Sequence, residues 1–152
     1  MVPAPDANGV RARALPGGFV VSDDPTLVDL DAAWQFLKSE AYWGRDRTIE
    51  DLETQIADAW RVVGVYTDDP AADQVGFCRA WSDGVRNAYL ADVYVLGSHR
   101  GRGLGTALVR HMIDDGPGAH FRWLLHTADA HELYARFGFD RPDRTLLERP
   151  AR

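Results

Sequence analysis

The amino-acid sequence predicts a mixed α/β (α+β) domain with one central, mostly antiparallel sheet and helices on both faces. Three observations carry that expectation. The hydrophobic period alternates between helix-like and strand-like along the chain. Three β-rich runs follow one another between residues 61 and 96, with turn residues between them. The last of these runs passes through a glycine-rich segment directly into a helical run.

Residues 1–17 mix Pro, Gly, Ala and Arg without periodicity, so a mobile tail is expected there and a single domain over 18–152. Phe19-Val20-Val21 reads as a strand, and Asp24-Pro25 as a cap with proline in the first helical turn. Leu27, Leu30, Trp34 and Leu37 keep helical spacing up to about Ser39. Thr48 and Asp51 form a helix-opening pair ahead of Ile49, Leu52, Ile56 and Ala59. Arg61 to Tyr66, Gln74 to Trp81 and Tyr89 to Leu96 are strands, separated by turns at Asp68-Asp69-Pro70 and Asp83-Gly84. Leu104, Leu108 and Met112 restore the helix period until Asp115-Gly116-Pro117-Gly118 ends it. Trp123 to Thr127 is the next predicted strand, His131 to Phe137 a short helix closed by Gly138, and Thr145 to Leu147 a last strand.

Composition narrows the classes of function. The formal net charge of −6 disfavours nonspecific nucleic-acid binding, which needs a basic surface. No run approaches the roughly 20 apolar residues that cross a bilayer, and the first residues lack a basic start followed by an apolar stretch. With Cys78 as the only cysteine no intramolecular disulfide forms, which fits a reducing cytoplasm as the expected location. The histidines at 99, 111, 120, 126 and 131 show no ligand spacing with acidic partners, so no metal is expected. The oligomeric state is open, a homodimer being one expectation.

The segment from Val93 to Thr106 carries the chemistry. Glycines at 101, 103 and 105 let backbone N–H groups converge at the start of a helix, whose positive end reinforces them. Arg100 and Arg102 add guanidinium donors, and the combination suits a pyrophosphate better than a plain tight turn. No Gly-Lys-Ser/Thr ending follows, against a nucleoside triphosphatase. Thr106 stands where a dinucleotide fingerprint wants its third glycine.

The run Arg100-x-x-Gly103-x-Gly105, placed between strand and helix, resembles the coenzyme A pyrophosphate loop of the GNAT superfamily of acyl-CoA-dependent N-acyltransferases. That pattern is Gln or Arg, two residues, Gly, one residue, then Gly or Ala. Leu133-Tyr134 through Gly138-Phe139 resembles the family's second signature near the C-terminus, and together the resemblance spans about residues 18–148. It implies splayed central strands, with the pantetheine of acetyl-CoA lying between the strand of Val93, Tyr94 and Val95 and the strand ending at Thr127. The backbone groups of Val93 and Val95 would pair with its amides. N–H groups from Arg100 through Gly101, Arg102, Gly103, Leu104, Gly105 and Thr106 would hold the pyrophosphate. Tyr134 would sit by the coenzyme sulfur. Family members often carry Asn where Thr127 stands, a departure at that contact.

An alkylamine of pKa about 10 is neutral only one part in a thousand at pH 7, so acyl transfer needs a proton acceptor as well as an acid for the leaving thiolate. Tyr134 is the candidate acid. Asp92, an acidic residue inside a β run, is the candidate base, although strict alternation turns it away from Val93 and Val95 unless a bulge or a water chain intervenes. Trp34, Tyr42, Trp43, Arg45 and Arg47, around the junction of the first two helices, are candidates for the acceptor pocket; aromatics would favour a cation and arginines a carboxylate. The expected activity is acetyl transfer from acetyl-CoA to a primary amine of a small molecule or peptide, by direct attack in a ternary complex. The alternative is a non-catalytic acyl-CoA-binding sensor or interaction module on the same fold.

Overall fold

A computed structural model describes residues 9–40 and 46–152. Six strands form one sheet in the order β1-β2-β3-β4-β5-β6: β1 Ala12–Leu15, β2 Phe19–Ser22, β3 Arg61–Thr67, β4 Gln74–Ser82, β5 Asn87–Val95 and β6 Arg122–Leu124. All neighbours are antiparallel except β5 and β6, which run parallel. Helices α1 (Leu30–Ser39), α2 (Ile49–Ala57), α3 (Leu104–Met112) and α4 (His131–Ala135), with 3-10 turns at Pro25–Leu27 and Gly97–His99, complete the described elements.

The period-2 pattern of the central strands sorts side chains into two cores. Val63, Val65, Cys78, Ala80 and Leu90 pack beneath α3 with Leu104, Leu108 and Met112. Their neighbours Val62, Phe77 and Tyr94 pack on the other face with Ala33, Phe36, Leu37 and Leu52 of α1 and α2. A sheet covered on both sides explains why β3 and most of β4 are buried without a polar face. Cys78 is fully buried, and desolvation pushes its thiol well above the ordinary range.

Helix α2 opens with the expected capping box between Thr48 and Asp51. Four expectations change. Residues 12–15, expected in a mobile tail, form edge strand β1; its alternation of exposed and half-buried positions leaves little apolar signal. Asp24 caps only a 3-10 turn at Pro25–Leu27, and α1 starts at Leu30 under the cap of Asp29, whose side chain accepts from the Ala32 N–H at 2.9 Å. The strand expected through Thr127 ends at Leu124. Thr145 to Leu147 forms no strand, because Thr145 turns back on Asp143 and Leu147 is 91% exposed.

His111, on the inner side of α3, is 1% exposed. Its Nε2 meets the Arg11 carbonyl at 3.2 Å, while Nδ1 is buried without a partner among the described residues. Burial first and the Arg61 guanidinium second lower its pKa. An unfolded histidine titrates near pH 6.5, so below that value the unfolded chain binds a proton that the folded chain refuses. Stability is therefore full above about pH 6.5 and falls as the pH drops toward the folded value. Urea midpoints between about pH 7.5 and 5.5 are expected to decline, and H111Q is expected to flatten that slope; an unchanged slope would refute the assignment.

Candidate active site

The parallel β5–β6 ladder holds for three residue pairs, Asn87↔Arg122 to Tyr89↔Leu124, and then opens. From Leu90 to Val95 the β6-facing edge of β5 has no strand partner among the described residues. The Leu96 N–H bonds the Val75 carbonyl of β4 at 2.9 Å, so by alternation Val93 and Val95 turn their backbone groups into the gap. The Val95 carbonyl there accepts from Arg100 Nε at 3.3 Å. Gly103, at φ 76°, is the N-cap of α3, a left-handed conformation that favours glycine. No side chain caps this helix, so the N–H groups of Leu104, Gly105 and Thr106 keep their first-turn freedom. They face a cleft of about 660 Å³, lined also by Phe36, Glu40, Tyr94, Arg100, Gly101 and Leu133. The donors and the positive helix end make its mouth an anion site.

A second cleft, of about 580 Å³, is lined by Arg47, Arg79, Trp81, Tyr89 and Asp92. The two share Val93, Asp129, Ala130 and Tyr134, so Tyr134 stands where they meet. Tyr134 is 7% exposed, and its hydroxyl bonds no group among the described residues. Burial, with smaller contributions from Cys78 and Asp129, pushes its phenol up, so it stays protonated at neutral pH.

A register shift between Phe77 and Arg79 sets Asp92 in a β-bulge at φ 56°. Counted from Leu90, which lies under α3, strict alternation would bury Asp92 in that apolar core. The bulge instead turns it toward Arg79 and Arg47. Arg47 Nη1 and Nη2 reach its two oxygens at 2.8 and 2.7 Å, and Arg79 Nε reaches Oδ2 at 2.6 Å. Burial works to raise the Asp92 pKa, but hydrogen bonds and charge from the two arginines outweigh it and the net shift is downward. A carboxylate with both oxygens so engaged is a poor proton acceptor. At the other wall Tyr89 stacks on Trp81, with ring centroids 4.1 Å apart, and its hydroxyl bonds Nδ1 of His126. Nε2 of His126 meets Glu148 at 2.8 Å.

A family model described as Acetyltransferase (GNAT) family matches residues 30–139. The chain belongs to the GNAT acetyltransferase family. A GNAT protein from Xanthomonas campestris, provisionally named an acetyltransferase, is 35% identical, with a TM-score of 0.79 over 91% of this chain and 96% of its own. A Gibberella zeae protein with the same provisional name is 28% identical over 79% of this chain and 77% of its own. A structure from Deinococcus radiodurans, 24% identical with a TM-score of 0.68 over 90% and 92% of the two chains, shares the fold.

Within this GNAT domain the structure brings Val93, Tyr94, Val95, Arg100, Gly101, Gly103, Leu104, Gly105, Thr106 and Tyr134 to one cleft. Arg102 is exposed and does not line it. Thr127 lines the opposite cleft, where its hydroxyl accepts from the Ala130 N–H at 3.0 Å and caps the approach to α4. Trp34 packs on the core beneath α1 and lines neither cleft, because its face of the helix is the apolar one. Arg47 lines the second cleft, whereas Tyr42, Trp43 and Arg45 lie outside the described residues. The sequence does not single out Arg79, Trp81, Tyr89 or Glu148 as site residues, and it marks His126 only as a histidine without ligand spacing. An arginine inside the apolar run of β4 was a legible signal; the His126–Glu148 pairing, across an irregular tail, was not. Among the described residues no cluster of His, Cys, Asp or Glu could hold a metal, and no helix is long and apolar enough to cross a membrane.

Proposed function

We propose that the chain transfers an acetyl group from acetyl-CoA to a primary amine, the two substrates entering through the two clefts and meeting at Tyr134. The observation that carries this reading is the pair of clefts sharing Val93 and Tyr134. The uncapped N-terminus of α3 and Arg100 fit a diphosphate, and the β5 edge at Val93 and Val95 fits the amides of a pantetheine arm as an added strand would. Acetyl-CoA supplies the activated thioester. The Val93 N–H, turned into the gap where the clefts meet, donates in this reading to the developing negative charge on the thioester carbonyl oxygen, and Tyr134 gives its hydroxyl proton to the departing sulfur. Tyr134 recovers a proton from solvent through the open clefts.

Asp92 then serves to anchor Arg47 and Arg79, in place of the base role expected from sequence. The proton of the amine has a better route in Tyr89: its oxygen accepts that proton while its own passes to His126 Nδ1, and the resulting imidazolium faces Glu148. Calorimetry with acetyl-CoA and desulfo-CoA is expected to show one site per chain. In G103V a β-branched residue must take a positive φ, and affinity is expected to fall at least about tenfold. No binding at millimolar ligand would refute the function, and unchanged affinity in G103V the role of the loop.

A further inference from the structure

The acceptor-side cleft carries an imbalance of buried charge. Arg47 and Arg79 face one carboxylate, Asp92, whose side chain is 3% exposed. Arg47 commits both terminal nitrogens: Nη1 and Nη2 hold Asp92, and Nη1 also holds Gln55 Oε1 at 2.7 Å, which leaves only its Nε buried without a partner among the described residues. Arg79 spends only Nε on Asp92. Its side chain is 8% exposed, yet Nη1 and Nη2 donate to no group among the described residues. Leaving one guanidinium's charge uncompensated in a buried wall is costly, and the fork of two parallel N–H donors matches a planar oxyanion. The other charged groups of the cleft do not answer it. Asp129 is exposed where the two clefts join, and Glu148, 61% exposed, is held by His126.

We propose that the acceptor is an amine bearing a carboxylate, with the carboxylate on Nη1 and Nη2 of Arg79 and an apolar or aromatic part against the Trp81–Tyr89 stack. The inference rests on the acyltransferase reading of this cleft. One excess positive charge calls for a monoanion, which separates a carboxylate from a phosphate dianion. Arg79 is held in place for this contact, with its Cζ 5.7 Å from the centre of the Trp81 ring and its Nε fixed by Asp92. Trp81 is 49% exposed, an aromatic surface on the same cleft wall as Arg79.

The test uses the full chain with saturating acetyl-CoA, reading released thiol. The acceptors are L-phenylalanine, L-tryptophan and L-leucine, each beside its amide and methyl ester, with O-phosphoethanolamine as the phosphate arm. At least one free acid is expected to be turned over, with kcat/KM about a hundredfold above its amide and ester, because the unpaired guanidinium rejects analogues that leave it unpaired. In R79Q that preference is expected to vanish with acetyl-CoA affinity unchanged, and R79K is expected to restore part of it. Amides equal to acids, turnover of the phosphorylated amine alone, or no turnover while acetyl-CoA binds would each overturn the proposal and leave the cofactor site standing. Failure to bind acetyl-CoA would remove the acyltransferase reading and this inference with it. The substrate comparison on the unaltered chain decides the matter even if R79Q folds poorly.

Discussion

Y134F is expected to lower kcat by about 10²- to 10⁴-fold, the range that a positioned general acid supplies, with little change in acetyl-CoA affinity. The ring fills the same space in the variant, and the Tyr134 hydroxyl bonds no other described group, so its loss leaves no orphaned partner. Stopped-flow and steady-state rates over the pH range would separate chemistry from product release. Because burial holds the phenol protonated, the unaltered enzyme should show no loss of activity from Tyr134 below about pH 10. A kcat for Y134F equal to that of the unaltered chain would remove the acid role.

The largest effect on stability is expected from D92N. Asparagine keeps the shape and tolerates the positive φ of the bulge, so the substitution isolates the charge. It leaves Arg47 and Arg79 facing each other in a buried wall, and breaking a buried ion pair from one side costs about 3–5 kcal/mol. At about 2–4 °C per kcal/mol for a chain of this size, the melting temperature should drop by roughly 10 °C. Since the Asp92 pKa is depressed on folding, its contribution is complete above the unfolded value near pH 4 and is lost only as the pH falls below it. A thermal midpoint within about 2 °C of the unaltered chain would show that the arginines find other partners.

The central architecture was legible because it rests on strong local signals. Period-2 runs at Arg61 to Leu96, the Thr48 capping box and the glycines before Leu104 each have one good structural solution, and the observed elements follow them. Arg100 and Gly103 were legible for the same reason, since the loop chemistry is local. What escaped depends on long-range geometry. Strand β1 has too little apolar contrast to announce itself and exists only because β2 offers an edge. Asp92 looked like a base because its sequence neighbours are apolar. Its partners Arg47 and Arg79 lie 45 and 13 residues away, and only the bulge brings them onto it. Trp34 failed as a pocket residue for the opposite reason: an aromatic at helical spacing is better explained by the core that it packs.

The burial of Cys78 reaches beyond packing. This is the sole thiol of the chain, it has no exposed surface, and its proton is held tightly. A maleimide or disulfide reagent finds nothing to label while the β4 strand stays closed, so coenzyme A liberated during turnover can be titrated without background from the protein. The same silence makes the sulfur a reporter of global opening, because any labelling of it counts molecules whose sheet has come apart.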